Sequence, residues 1–124
     1  MAKIRISWPG GEAFAQLRDT PTARKVIAAL PVTASANMWG EEVYFGLPVT
    51  AKLEPDAKQV VDPGSVCFWV EGSALALPFG PTPISTGGEC RLVSKCNVLG
   101  AIDGDARRLK NVRNGSSIKV EAVE

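Results

Sequence analysis

Histidine is absent from this chain, and that one gap closes several chemistries at once. A Ser-His-Asp relay, a Cys-His nucleophile pair and every histidine-based metal site are excluded. Cysteine is sparse and badly spaced for stapling or for zinc: Cys67, Cys90 and Cys96 are an odd number with no CxxC pair among them. Free thiols are expected, and no metal or cofactor is implied. An excess of either charge is missing too. Lys and Arg total 14 against 13 Asp and Glu, a formal net charge of +1, too weak a field to gather polyanions, so nucleic acid is not an expected partner. No apolar run reaches the roughly 20 residues that span a bilayer; residues 73–79 carry Pro78 and stop at Gly80. The opening Met1-Ala2-Lys3-Ile4-Arg5-Ile6 alternates charge with branched apolar side chains instead of presenting the apolar core of a signal peptide. A cytoplasmic protein with no membrane partner is therefore expected.

What is present is an ordinary globular composition, 45% hydrophobic and 22% charged over 124 residues, the size of one domain spanning 1–124. Strand and turn signals dominate. Ile4, Ile6 and Trp8 alternate with Lys3, Arg5 and Ser7, and Pro9-Gly10-Gly11 turns the chain into a return strand at residues 14–17. Thr20 before Pro21 is a capping hydroxyl ahead of a proline at the first helical position. Ala23, Val26, Ile27 and Leu30 then recur on one helical face until Pro31. Alternation at Val32, Ala34 and Ala36, and again at Val43, Phe45 and Leu47, predicts a second hairpin. Residues 52–62 read as a surface loop with a brief strand at 59–61, and Pro63-Gly64 as a turn. Val66, Phe68 and Val70 oppose Cys67 and Trp69, while Leu75, Leu77 and Phe79 oppose Ala74, Ala76 and Pro78, so both segments read as strands buried on two sides. A long strand is expected over 92–102 and a terminal one through Ile118, Val120 and Ala122, pairing near the N-terminal hairpin. About eight strands and a single helix describe a closed barrel or a sandwich better than an open parallel sheet.

Trp39 to Phe45, the Gly64 turn before Trp69, Glu71-Gly72-Ser73-Ala74, Phe79-Gly80-Pro81-Thr82-Pro83 and Asn97-Val98-Leu99-Gly100 together resemble the signature elements of the small bacterial and archaeal cyclophilin-like proteins of unknown function. The resemblance covers most of the chain. It implies a mainly β fold, a closed antiparallel cyclophilin-like β-barrel with one short α-helix, and no activity to carry over. Cyclophilins lower an amide rotation barrier of about 18–20 kcal/mol with an apolar proline pocket and an arginine. Their successive phenylalanine, histidine and arginine are missing here, although Phe79-Gly80 matches a pair they also contain. Prolyl isomerase activity is accordingly disfavoured.

The candidate site is a partly apolar groove built from Trp39, Glu41, Tyr44, Phe45, Trp69, Phe79, Thr82 and Asn97, taking a short peptide or a small molecule. Large aromatics are also what a small barrel needs to fill itself, and Trp69, opposite Val66, Phe68 and Val70, is the one best placed to face a cleft. Glu41 and Glu42 are adjacent and face opposite sides of a strand. Glu41, on the face of Val43 and Phe45, is expected at the rim of the apolar interior, and Glu42 on the face of Tyr44. Residues 78–85 hold three prolines and form a rigid connection rather than a central strand. Cys67 and Cys96 fall in strand patterns and read as inert, which leaves Cys90 as the candidate for reactivity. Arg107, Arg108, Lys110 and Arg113 follow Asp103 and Asp105 and read as a solvated turn with local ion pairs. A non-enzymatic binding module is the leading expectation. A carboxylate-assisted enzyme using Glu41 or Glu42, and a homodimer formed through Trp69, are the alternatives.

Overall fold

A computed structural model describes residues 2–123. Strands β1 (Ala2–Trp8) and β2 (Gly11–Leu17) form the N-terminal hairpin, with Trp8 opposite Gly11. Gly10 closes its turn at φ +93, a conformation that excludes most side chains. Helix α1 (Pro21–Ala29) starts where Thr20 accepts a hydrogen bond from the Ala23 N–H at 3.1 Å and buries Thr22, Ala23 and Val26. The remaining strands are β3 (Val32–Ser35), β4 (Asn37–Met38), β5 (Glu42–Gly46), β6 (Lys58–Val61), β7 (Ser65–Trp69), β8 (Ala74–Pro78), β9 (Cys90–Ile102) and β10 (Ser117–Val123). A 3-10 turn, Ala106–Asn111, precedes the last of them and is capped by Asp105, whose carboxylate also pairs with Arg107 at 3.1 Å.

Among the described residues the sheet has ten strands rather than about eight, in the order β3-β10-β1-β2-β9-β7-β8-β5-β4, with β6 paired to β9 off this path. All pairings are antiparallel, and β10 does lie against β1. The expected closure into a barrel is not found, because the path ends at β3 on one side and β4 on the other and, among the described residues, no ladder joins them. The expected second hairpin is divided for the same reason. Its first arm gives Val32–Ser35 to β10, and only Asn37 and Met38 pair with β5, opposite Tyr44 and Val43. Ala36 alone separates the two edge strands, and it bonds across to the turn before β10 through its N–H to the Ser116 carbonyl and its carbonyl to the Gly115 N–H. A sheet whose edges are one residue apart along the chain has to curl.

Inside that curl lies the main core, with Ile4, Ile6, Leu17, Phe45, Phe68, Leu75, Leu77, Leu99 and Ile118 fully buried. Each contributes roughly 1.5–3 kcal/mol by leaving water. Period-2 alternation sends the intervening residues of β5, β7 and β8 to the other face. There Cys67 and Ala76 join Val61, Cys90, Leu92 and Cys96 in a smaller second cluster. The cover over this outer face is the first half of β9. Cys90, Arg91 and Cys96 pair with β6, whereas Asn97 to Ala101 pair with β7 and Gly100 to Ile102 with β2. A bulge between Val66 and Cys67 leaves Leu99 as the extra residue of β9 within the stretch that pairs with β7. Among the described residues no helix is long and apolar enough to cross a membrane.

Candidate functional site

On the outer face, opposed residues of three strands form a row: Tyr44 faces Ala76 across β5–β8, and Ala76 faces Cys67 across β8–β7. The centre of that row is a methyl group. Larger neighbours stand around it, with Glu42 two residues before Tyr44 on the same face and Trp69 two residues after Cys67. Leu92, Val93 and Cys96 of β9 close the far side. The space left above Ala76 is a cavity of about 190 Å³ lined by Trp39, Glu42, Tyr44, Trp69, Ala76, Leu92, Val93 and Cys96.

Two short loops fix its walls. Trp39 and Glu42 flank the loop Gly40-Glu41, the Trp39 N–H donating to the Glu42 carbonyl at 2.9 Å. Gly40 has φ +59, and a Cβ there would come within 2.9 Å of the Thr82 Cα and 2.8 Å of the Pro83 Cδ. The hairpin is thus pressed against the proline-rich connection after β8, and two backbone bonds bind them: Glu41 N–H to Pro81 O at 2.9 Å and Phe79 N–H to Glu41 O at 2.8 Å. Trp69 is seated by the β7–β8 loop. Gly72 lies so close over its six-membered ring that a Cβ would stand 2.2 Å from Cε3, and the indole N–H donates to Ser94 Oγ at 3.1 Å, which in turn donates to Glu71 at 3.0 Å.

Glu42 is the anomalous group. The residue is only 6% exposed, and its Oε1 is buried without a hydrogen-bond partner among the described residues. Burial disfavours the carboxylate and pushes its pKa from 4.5 up to about 7. No cationic side chain contributes to that shift. The thiols nearby respond the same way: burial, then the neighbouring thiols and Glu42, holds Cys67 well above its ordinary value, and burial drives Cys96 up to about 12. Cys90, expected to be the reactive one, is the first residue of β9, fully enclosed, with its thiol raised by burial and by nearby carboxylates. It is enclosed, as the other two are. Among the described residues no set of three or more His, Cys, Asp or Glu is arranged to hold a metal ion.

Of the eight candidate residues, Trp39, Tyr44 and Trp69 line this cavity and the other five do not. Phe45 and Phe79 point to the main core; Phe79 also borders a separate cleft with Pro63, Ile102 and Arg107. Glu41 is exposed and lies against Gly80, where a Cβ would meet its Oε1 at 2.7 Å. Thr82 is tied into the connection: its N–H donates to Ser85 Oγ at 2.8 Å and its hydroxyl to the Arg91 carbonyl. Asn97 is wholly buried and fully bonded. Its amide donates to Thr22 Oγ1 and to the Lys52 carbonyl, both at 2.9 Å, and its Oδ1 accepts from the Glu54 N–H at 2.8 Å. It pins the 52–54 loop to β9 and α1. The cavity-facing residues not anticipated are Glu42, Ala76, Leu92, Val93 and Cys96. The shared face of Glu42 and Tyr44 was visible as alternation, but nothing in the pattern indicates that β9 folds back over that face.

Fold and site together define a curled antiparallel sheet with a lidded pocket on its outer surface. The chain belongs to the cyclophilin-like family, whose model matches residues 2–121. It is similar to a hypothetical protein of Archaeoglobus fulgidus known from a solution structure, at 37% identity, over 98% of this chain and 95% of that one, with a TM-score of 0.84. Among curated proteins none matches.

Proposed function

We propose that the protein is a binding module that takes a small organic molecule, or one side chain of a short peptide, into the cavity between Trp39, Tyr44 and Trp69. One observation carries this reading: a buried carboxyl with an unpartnered oxygen, Glu42, stands in the wall of an otherwise apolar and aromatic space. Native proteins seldom leave such a group unsatisfied, since an unmade hydrogen bond on a buried polar atom costs about 1–3 kcal/mol. A few polar atoms in an apolar concavity is also the usual make-up of a ligand site. The test is a fragment titration followed by NMR. Saturable shifts at Trp39, Tyr44 and Trp69 that vanish in Ala76→Leu, which fills the centre of the pocket, are expected. Binding unchanged by Ala76→Leu would defeat the reading.

A second reading, a carboxylate-assisted reaction, is favoured by the same side chain, because a carboxyl near pH 7 suits proton transfer. It requires turnover that follows the ionisation of Glu42 and disappears in Glu42→Gln.

A further inference from the structure

The composition of the pocket wall narrows the ligand class, and the inference rests on the binding-module reading above. Two of the three tryptophans in the chain and its single tyrosine converge on this cavity. Aromatic rings attract cations through their quadrupole, and rings gathered around a carboxylate are the arrangement by which proteins hold organic ammonium ions. Among the described residues the lining contains no Lys or Arg, so Glu42 has no counter-charge there. The other groups around it carry none either: β7 contributes the Cys67 thiol, β9 the Cys90 and Cys96 thiols, all raised by burial, β8 contributes Ala76 and Pro78, and β5 the Tyr44 phenol. Glu41 directs its carboxylate to Gly80 instead.

We propose that the ligand is an alkylammonium ion, its N–H donating to the Glu42 carboxylate and its carbon substituents packed against Trp39, Tyr44 and Trp69. Binding below neutral pH then moves one proton from the Glu42 carboxylic acid to solvent while the ammonium keeps its own. The shared chemistry fits a free small amine and a lysine side chain alike.

The experiment is an NMR titration of the full chain, read at the indole N–H signals of Trp39 and Trp69, with Trp8, which lies in the main core, as internal control. The probes are butylammonium, neutral 1-butanol, and Nα-acetyl-lysine amide with its Nε-acetylated form. Butylammonium is expected to bind roughly tenfold more tightly at pH 8 than at pH 6, as the ionised fraction of Glu42 rises from about a tenth to about nine tenths. It should exceed butanol by at least tenfold at pH 8, and Glu42→Gln should abolish both the preference and the pH dependence. Binding of the lysine amide but not of butylammonium would assign the pocket to peptide side chains, and the reverse to free amines. Butanol binding as well as butylammonium would overturn the cation while leaving the pocket intact; a flat pH profile in the wild type would overturn it without recourse to any variant. If no probe binds, the inference fails, and the fragment titration with Ala76→Leu decides the pocket separately.

Discussion

Glu42 shows how one carboxyl sets the behaviour of its surroundings. Between pH 4.5 and about 7 the folded protein holds a proton there that the unfolded chain has released, so stability falls as pH rises through that window. The contribution of this group to the loss is about 3 kcal/mol. Glu42→Gln should therefore unfold at higher urea concentration than the wild type at pH 8, with the two nearly alike at pH 4.5; equal midpoints at pH 8 would show that Glu42 ionises without penalty. The three thiols give a second expectation at this scale. Because Cys67, Cys90 and Cys96 are all enclosed, a thiol reagent should modify them only as fast as the protein opens, at one shared rate that rises in denaturant. Rapid selective labelling of Cys90 would contradict its burial. The Asn97 side chain is wholly buried and makes three hydrogen bonds. Replacing it with Ala strands the Glu54 N–H and the Lys52 carbonyl that it now satisfies, at about 2–4 kcal/mol by chemical denaturation.

At the scale of elements, glycine marks where strands and loops touch. Gly100 in β9 sits where a Cβ would lie 1.9 Å from the Gln16 carbonyl oxygen, so the β2–β9 pairing depends on its bare backbone. Gly100→Ala is expected to cost several times what an exposed strand glycine would, or to prevent folding, as judged by soluble yield and near-UV circular dichroism. Elements were also where sequence reading went furthest. The hairpin β1–β2, the Thr20 cap, the proline-rich connection and the long β9 are all legible because each is written in local alternation or in a capping or turn residue. Legibility ends where one stretch serves two partners. Val32, Ala34 and Ala36 alternate as one hairpin arm, yet residues 32–35 pair with β10 and it is Asn37 and Met38, in the expected connection, that pair with β5, a choice set by distant strands. The cavity follows the same rule: the face of Trp69 can be read from alternation, whereas Glu42, named from the sequence only as an alternative carboxylate and not as a groove residue, is covered by residues of β9 some fifty positions away.

Over the whole molecule, two apolar clusters share the wall formed by β5, β8 and β7, the larger inside the curl and the smaller beneath the returning half of β9. The pocket occupies the smaller one, where less apolar mass is packed and a side chain or ligand can be admitted at lower cost to the fold. The rims of the sheet have a different bearing on its motion. Because β3 and β4 are successive stretches of one backbone hinged at Ala36, neither rim can peel away without tugging the other. Amide exchange should accordingly find Ala34, Ala36 and Met38 opening as a unit, and a single proteolytic nick at that hinge would loosen both sides of the protein together.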